Sequence, residues 1–292
     1  MVTKEFLTVK NVKILIDSAS DISLETAKKY NIDILGQNII FGDETFVETT
    51  ELSPSEFYKK LEKFGGIPKT AQINITKITE KYEQYYKDYD IIFITISSKA
   101  SGTFQSANLA KDMFLEEHPD ASIDVFDGFN LSLGYGRLGI AAAKMAQDGK
   151  GKDEILKEIA RLRDKAEVIF VVDDLSYLQK GGRISPTAKI LGNVLDIKPV
   201  LTIKDGLVTN LDKVRGAKKV YAKLVDIMMS NIDTDEKHTV YIIHGNAPGK
   251  VEKLKEKIAE TTNITDIEVG EVGASVGTNT GAGVIALTYL KK

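Results

Sequence analysis

The sequence contains no cysteine, no tryptophan and only three histidines. Without cysteine there can be no disulfide, no thiolate metal site and no thiol nucleophile, and a reducing compartment fits that composition. His118, His238 and His244 are scattered and form no H-E-x-x-H pair. Such histidines are more often structural or surface residues than zinc ligands, so no metal is expected. No apolar stretch approaches the roughly 18 residues that a membrane span requires. The opening MVTKEFLTVKNVKILID lacks the unbroken apolar segment and small-residue cleavage site of a secretory leader. Basic excess is missing as well. With 39 Lys and Arg against 42 Asp and Glu the net charge is -3, which attracts neither phosphate backbones nor anionic lipid surfaces. A cytoplasmic protein without nucleic-acid or integral membrane association is the expectation.

What is present is a chain of 292 residues, 42% hydrophobic and 28% charged, the balance of a globular protein with one large or two ordinary domains. Residues 12–16 read as a buried strand, and Ser23 caps the helical segment after it. Residues 32–40 form the next strand region. SPSEFYKKLEKF (53–64) and residues 75–89 read as amphipathic helices, and DIIFITISS (90–98) as a strand buried on both faces. Helix 102–118, strand 122–127, helices 136–149 and 153–166, and strand 167–174 continue the alternation. That pattern predicts a three-layer α/β domain with a mainly parallel sheet. Beyond it, PVLTIKDGLVT resembles a hairpin turning at Asp205-Gly206. Helix 216–232, strand 238–245, helix 251–263 and strands 266–273 and 283–290, the last two flanking a Gly/Thr-rich loop, suggest a mixed-sheet α/β domain. The expected domains are 11–174 and 175–292, with terminal segments open to exchange between them.

Three strings imitate catalytic or cofactor motifs. GYGRLG (134–139) matches G-x-G-x-x-G, but six residues separate it from Asp127, and no second strand with a terminal acid follows about 20 residues on. Close helix packing is the favoured reading. GASVG (273–277) matches a nucleophile elbow, yet every histidine precedes Ser275, against the Ser–acid–His order of that elbow. GNAPGKV (245–251) has one residue too few between its glycines, and Val251 stands where a phosphate loop needs Ser or Thr.

Hydroxyl- and glycine-rich loops at strand ends remain: residues 17–23, 69–76, 97–107, 127–136, 179–185 and 276–283. Open α/β sheets bind ligands beyond the carboxyl ends of their strands. SSKASGT opens a helix whose N–H groups favour an anion. Neutral hydroxyl donors there suit a single carboxylate or acyl phosphate better than a polyphosphate. Any one of these loops also reads as ordinary caps and turns; the inference rests on their coincidence.

The same loops carry a resemblance. ILIDSASDIS, SSKASGTFQSA, LSYLQKGGRIS, LGNVLDIKPVLTIKDG and VGTNTGAGVIAL are similar, in order, to motifs of the DegV family. That family includes the fatty-acid-binding subunits of bacterial fatty acid kinase. The resemblance implies a two-domain DegV-like fold, an N-terminal three-layer α/β domain plus a C-terminal mixed-sheet α/β domain. It further implies a non-enzymatic lipid-binding protein that buries one long-chain fatty acid, without a cofactor. The family's carboxylate-binding Thr and Ser match Thr70 and Ser101, and its His falls on Asn279. Ser98, Gly102 and Thr278 flank these positions as further contacts. Arg183 and Arg215 match basic positions implicated in presenting the headgroup to a kinase subunit. The chain departs at Ala71, Ile73, Asn74, Asn279 and Ala282. Asn279 keeps an amide donor but cannot become cationic or shuttle a proton, which bears on acyl phosphorylation rather than on binding. The competing reading is a phosphotransferase or hydrolase acting on a small phosphorylated metabolite.

Overall fold

The computed structural model describes residues 10–186 and 197–292. Strand β1 (Asn11–Asp17) leads through a 3-10 turn (Ser18–Ser20) and helix α1 (Leu24–Lys29) to β2 (Ile32–Leu35). Ser23 caps α1 by accepting the Thr26 N–H at 3.1 Å. The chain then builds a small antiparallel sheet from β3 (Asn38–Phe41), β4 (Glu44–Val47) and β5 (Lys69–Ala71), with α2 (Pro54–Phe64) between the last two. A capping box of Ser53 and Glu56, followed by Pro54, starts α2. Helix α3 (Ile75–Tyr85) returns to β6 (Tyr89–Thr95), and α4 (Thr103–Glu117) leads to β7 (Ile123–Asp127).

The first large sheet is parallel, in the order β2-β1-β6-β7. Its central strands β1 and β6 are buried on both faces, as their apolar runs require. Leu15, Ile91 and Phe93 face α3 and α4, whereas Ile14, Ile16, Ile92 and Ile94 face the opposite side. That opposite layer is α5 (Leu133–Gln147) and α6 (Lys152–Lys165).

The second sheet has the order β10-β9-β8-β13-β11-β12. It contains β8 (Ala166–Val171), the hairpin β9 (Ile197–Lys204) and β10 (Leu207–Arg215), then β11 (Val240–His244), β12 (Ile267–Glu271) and β13 (Ile285–Leu290). Only β11 and β12 run parallel within it. One face packs on α8 (Val220–Asn231) and α9 (Pro248–Thr261), and the other turns Val168, Phe170, Ile243 and Ala286 toward α5. Helix α5 thus lies between two sheets. The glycines of GYGRLG allow this: a Cβ on Gly139 would lie 2.7 Å from Ile16 Cδ1. Helix packing, not a cofactor, explains that string.

The remaining helices are short. Helix α7 (Leu175–Gly181) follows β8, and α10 (Ala274–Thr280) follows β12. The sequence suggested a loop where α10 lies, because its Gly and Thr content is poor helix material. Residues 32–40, expected as one strand region, split into β2 and β3 in different sheets. Sheet membership changes between β7 and β8, so β8 shares a sheet with the strands after it. Part of the LGNVLDIKPV motif, residues 191–196, lies outside the described residues, as do residues 1–9. Among the described residues no helix is long and apolar enough to cross a membrane.

Candidate functional site

In the parallel sheet the chain winds from β1 to β2 in one direction and reaches β6 on the other side of β1. The carboxyl ends of β1 and β6 therefore flank a topological switch point, where open α/β sheets form their crevices. A cavity of about 230 Å³ opens there. Its apolar wall includes Ile96, Leu131 and Leu178 together with Val168, Phe170, Ile243 and Ala286 from the inner face of the six-stranded sheet. Thr70, Gln72, Ser101, Gly102, Arg183, Asn279, Gln37, Ser132, Ser275 and Thr280 supply its polar wall.

Thr70 is held by the pairing of β5 with β3, opposite Ile39. Its hydroxyl has no hydrogen-bond partner among the described residues. Ser101 sits in the turn before α4. Its N–H donates to Ser97 O at 3.1 Å, and its Oγ accepts the Thr103 N–H at 3.2 Å. Ser97 Oγ in turn donates to Gly206 O at 2.8 Å, which ties this turn to the β9–β10 hairpin. Gly102 caps α4 closely against Gln72, leaving no room for a Cβ. Asn279, on α10, donates from Nδ2 to Ser275 O at 3.1 Å. The Arg183 side chain wraps the same turn, donating from Nε to Ala100 O at 3.0 Å and from Nη1 to Gly181 O at 2.5 Å.

Five of the eight sequence-derived positions thus meet at one cavity. The other three do not reach its wall. Ser98 donates its N–H to Asp127 Oδ1 at 3.1 Å. Thr278 is buried, its Oγ1 without a hydrogen-bond partner among the described residues. Arg215 is exposed at the end of β10. Sequence reasoning missed Gln37, Ser132 and the cavity role of Ser275.

Three buried carboxyls back the polar wall. Asp17, at the end of β1, accepts Ile96 N at 2.6 Å, Tyr135 Oη at 2.7 Å, Ala19 N at 3.1 Å and Gln37 Nε2 at 3.3 Å. Burial pushes its pKa up to about 6, and these four donors hold back a larger rise. Asp21 accepts Gly273 N at 2.8 Å and the Ser132 hydroxyl. Burial pushes Asp21 well above the ordinary carboxylate range, and neighbouring Glu48 adds to that. Glu48 accepts Ser18 Oγ at 2.6 Å, Ser275 N at 2.9 Å and the Ser275 hydroxyl. Ser275 is therefore bonded to a carboxyl, not to a histidine, and GASVG is no nucleophile elbow. None of the three histidines lines the cavity, and Arg183 is the one cationic side chain that does among the described residues.

A family model described as "Uncharacterised protein, DegV family" matches residues 11–292. The chain belongs to the DegV family. A DegV domain-containing protein of Clostridium perfringens is 35% identical over 286 residues, covering 97% of this chain and 98% of the relative. Among solved structures, a DegV family protein from Thermus thermophilus, described by its fatty acid binding, superposes with a TM-score of 0.86 at 26% identity. It covers 97% of this chain and 100% of that one. DegV from Bacillus subtilis, described as a fatty acid binding protein, gives a TM-score of 0.85 at 28% identity, with coverage of 97% and 100%. The α/β architecture of this DegV protein, with its parallel four-stranded and mixed six-stranded sheets, is that of its solved relatives.

Proposed function

We propose that the protein binds one long-chain fatty acid in this cavity and performs no chemistry on it. The acyl chain lies against Val168, Phe170, Ile243 and Ala286, and the carboxyl group meets Thr70, Ser101 and the Asn279 amide. The observation that carries the reading is a cavity of apolar side chains whose polar groups are hydroxyls and amides, with Arg183 the single cation among the described residues. Burial of methylenes at about 0.8 kcal/mol each gives a sixteen-carbon chain a gross gain on the order of 11 kcal/mol, before association and ordering costs. The headgroup contributes orientation, since a carboxyl buried without donors would be costly. Relatives described as fatty acid binding support the same assignment. Presentation of the headgroup to a kinase subunit is the finer part of the proposal. Arg183 at the cavity and exposed Arg215 are its contact residues.

Mass spectrometry of small molecules released from the purified protein tests the reading. A fatty acid is expected; a nucleotide or sugar phosphate would favour the phosphotransferase or hydrolase alternative. Thr70→Ala combined with Ser101→Ala should weaken fatty-acid binding by about tenfold or more while the protein stays folded. Unchanged affinity in the double variant would reject the headgroup assignment.

A further inference from the structure

A hydroxyl has one proton, and where that proton goes decides what its oxygen offers a ligand. Thr70 has its proton free. Asn279 Nδ2 spends one hydrogen on Ser275 O and keeps the other. Arg183 spends Nε and Nη1 on backbone carbonyls and keeps Nη2. Each of these groups has a hydrogen to give, and Asn279 Oδ1 can accept as well.

Ser275 and Gln37 face the same cavity and bring acceptors to it. The Ser275 hydroxyl donates to Glu48, a buried carboxyl that also takes Ser18 Oγ and Ser275 N. What Ser275 Oγ has left is lone pairs. Gln37 gives one Nε2 hydrogen to Asp17 and keeps the other; above about pH 6 the ionised Asp17 has no hydrogen to give back, so the amide keeps this sense. Gln37 Oε1 is then an acceptor with no donor among the described residues. Ser132 is not counted with them, because its hydroxyl meets Asp21, a carboxyl that burial pushes well above the ordinary range, and the sense of that bond follows the charge of Asp21. Helix α10, carrying Ser275, packs against β3 and β5, the strands of Thr70 and of the chain following Gln37. A carboxylate has no hydrogen to give two acceptors, and its charge would face lone pairs with buried carboxyls behind them.

We propose that Ser275 Oγ and Gln37 Oε1 form an acceptor subsite for a hydroxyl of the bound acyl molecule, either that of a protonated carboxyl group or that of a long-chain alcohol. The proposal rests on the fatty-acid reading and adds the hydrogen-bonding class of headgroup the cavity takes. A neutral acid satisfies both halves of the wall, its carbonyl oxygen accepting from Thr70 and its O–H donating to Ser275 or Gln37.

Calorimetric titration of delipidated protein with dodecanoic acid, dodecan-1-ol and methyl dodecanoate, each below its aggregation limit, tests this. If the acid is bound protonated, its affinity falls about tenfold per pH unit from about pH 6.5 to about pH 8.5, while that of the alcohol stays level. The ester accepts hydrogen bonds but gives none, and should bind at least about tenfold more weakly than the alcohol. Arg183 lines the cavity, Asp17 and Glu48 bond Gln37 and Ser275, and Asp21, Tyr135, Tyr58 and Glu271 stand behind them; a change in their charge would move the alcohol as well, which makes the alcohol the control. A level acid profile with the alcohol favoured over the ester names an alcohol as the hydroxyl source. A level acid profile with alcohol and ester bound alike overturns the proposal. Binding of none of the three removes the fatty-acid reading itself. In Ser275→Ala the alcohol should lose about tenfold and the ester less than about twofold, whereas equal losses refute the acceptor role. The ligand series on the unaltered protein stands alone if the variant does not fold.

Discussion

Filling the cavity should strengthen the fold and weaken ligand binding at once. Ala286 is buried in β13, with cross-strand partners Phe170 and Ile243 that also line the void. Ala286→Leu would add three carbons to a space of about 230 Å³. Burying them contributes about 2.4 kcal/mol at about 0.8 kcal/mol per methylene, and adjustment of neighbouring rotamers costs about 1 kcal/mol or more. The ligand-free variant should therefore gain up to about 1 kcal/mol in urea unfolding. The same three carbons displace about three methylenes of ligand, so hexadecanoic acid should bind about fiftyfold more weakly. An acid three carbons shorter should lose much less. A chain-length series by calorimetry, set beside the unfolding curves, reads both effects. Undiminished affinity for the longest acid would show that the chain does not occupy this space. Loss of both stability and affinity would show damage to the sheet rather than competition for the cavity.

The pH dependence of stability follows from Asp17, whose folded pKa of about 6 exceeds its ordinary 3.8. The folded protein holds a proton that the unfolded chain releases first, so this contribution is greatest below about pH 4 and declines by roughly 3 kcal/mol as pH rises through about 6. Asp17→Asn should flatten that decline in urea unfolding; an unchanged slope would assign it elsewhere. Gly139→Val places branched carbons against Ile16 and Ile22 and should cost about 3 kcal/mol through overpacking, visible as a lowered Tm. Asn279→His should raise acyl phosphorylation by a cognate fatty acid kinase; unchanged turnover would remove position 279 from that step.

The elements most legible in the sequence are those with local chemical signals. Ser53, Pro54 and Glu56 announce α2, and Asp205-Gly206 announces the β9–β10 turn, where both residues have positive φ. The unbroken apolar runs of β1 and β6 signal burial on both faces. Helix α10 was not legible because its stability comes from outside it. Asp21 takes the Gly273 N–H and Glu48 the Ser275 N–H, two donors at its amino end. Both carboxyls lie more than 220 positions away in the chain. The polar wall was half legible for the same reason. Thr70, Ser101 and Asn279 sit in recognisable strings, whereas the environment of Ser275 depends on Glu48, an acid in no motif.

That dependence explains why buried carboxyls stand beside an apolar cavity. A void between two sheets leaves chain ends and turns facing a space with few polar partners, and each unpaired N–H there is costly. Asp17 closes the amino ends of two turns in the parallel sheet, and Asp21 and Glu48 close the start of α10. Each carboxyl takes several donors, so a few acids satisfy many backbone groups without filling the space with side chains. The Asp21 and Glu48 bonds run from the first half of the chain to the second, so they tie α10 to the turns after β1 and β4 at the cavity. The desolvation evident in the raised pKa of Asp17 and Asp21 is the cost of keeping that space open. A cavity maintained against such a cost, and not collapsed by a larger side chain at Ala286, is what the proposed acyl ligand requires.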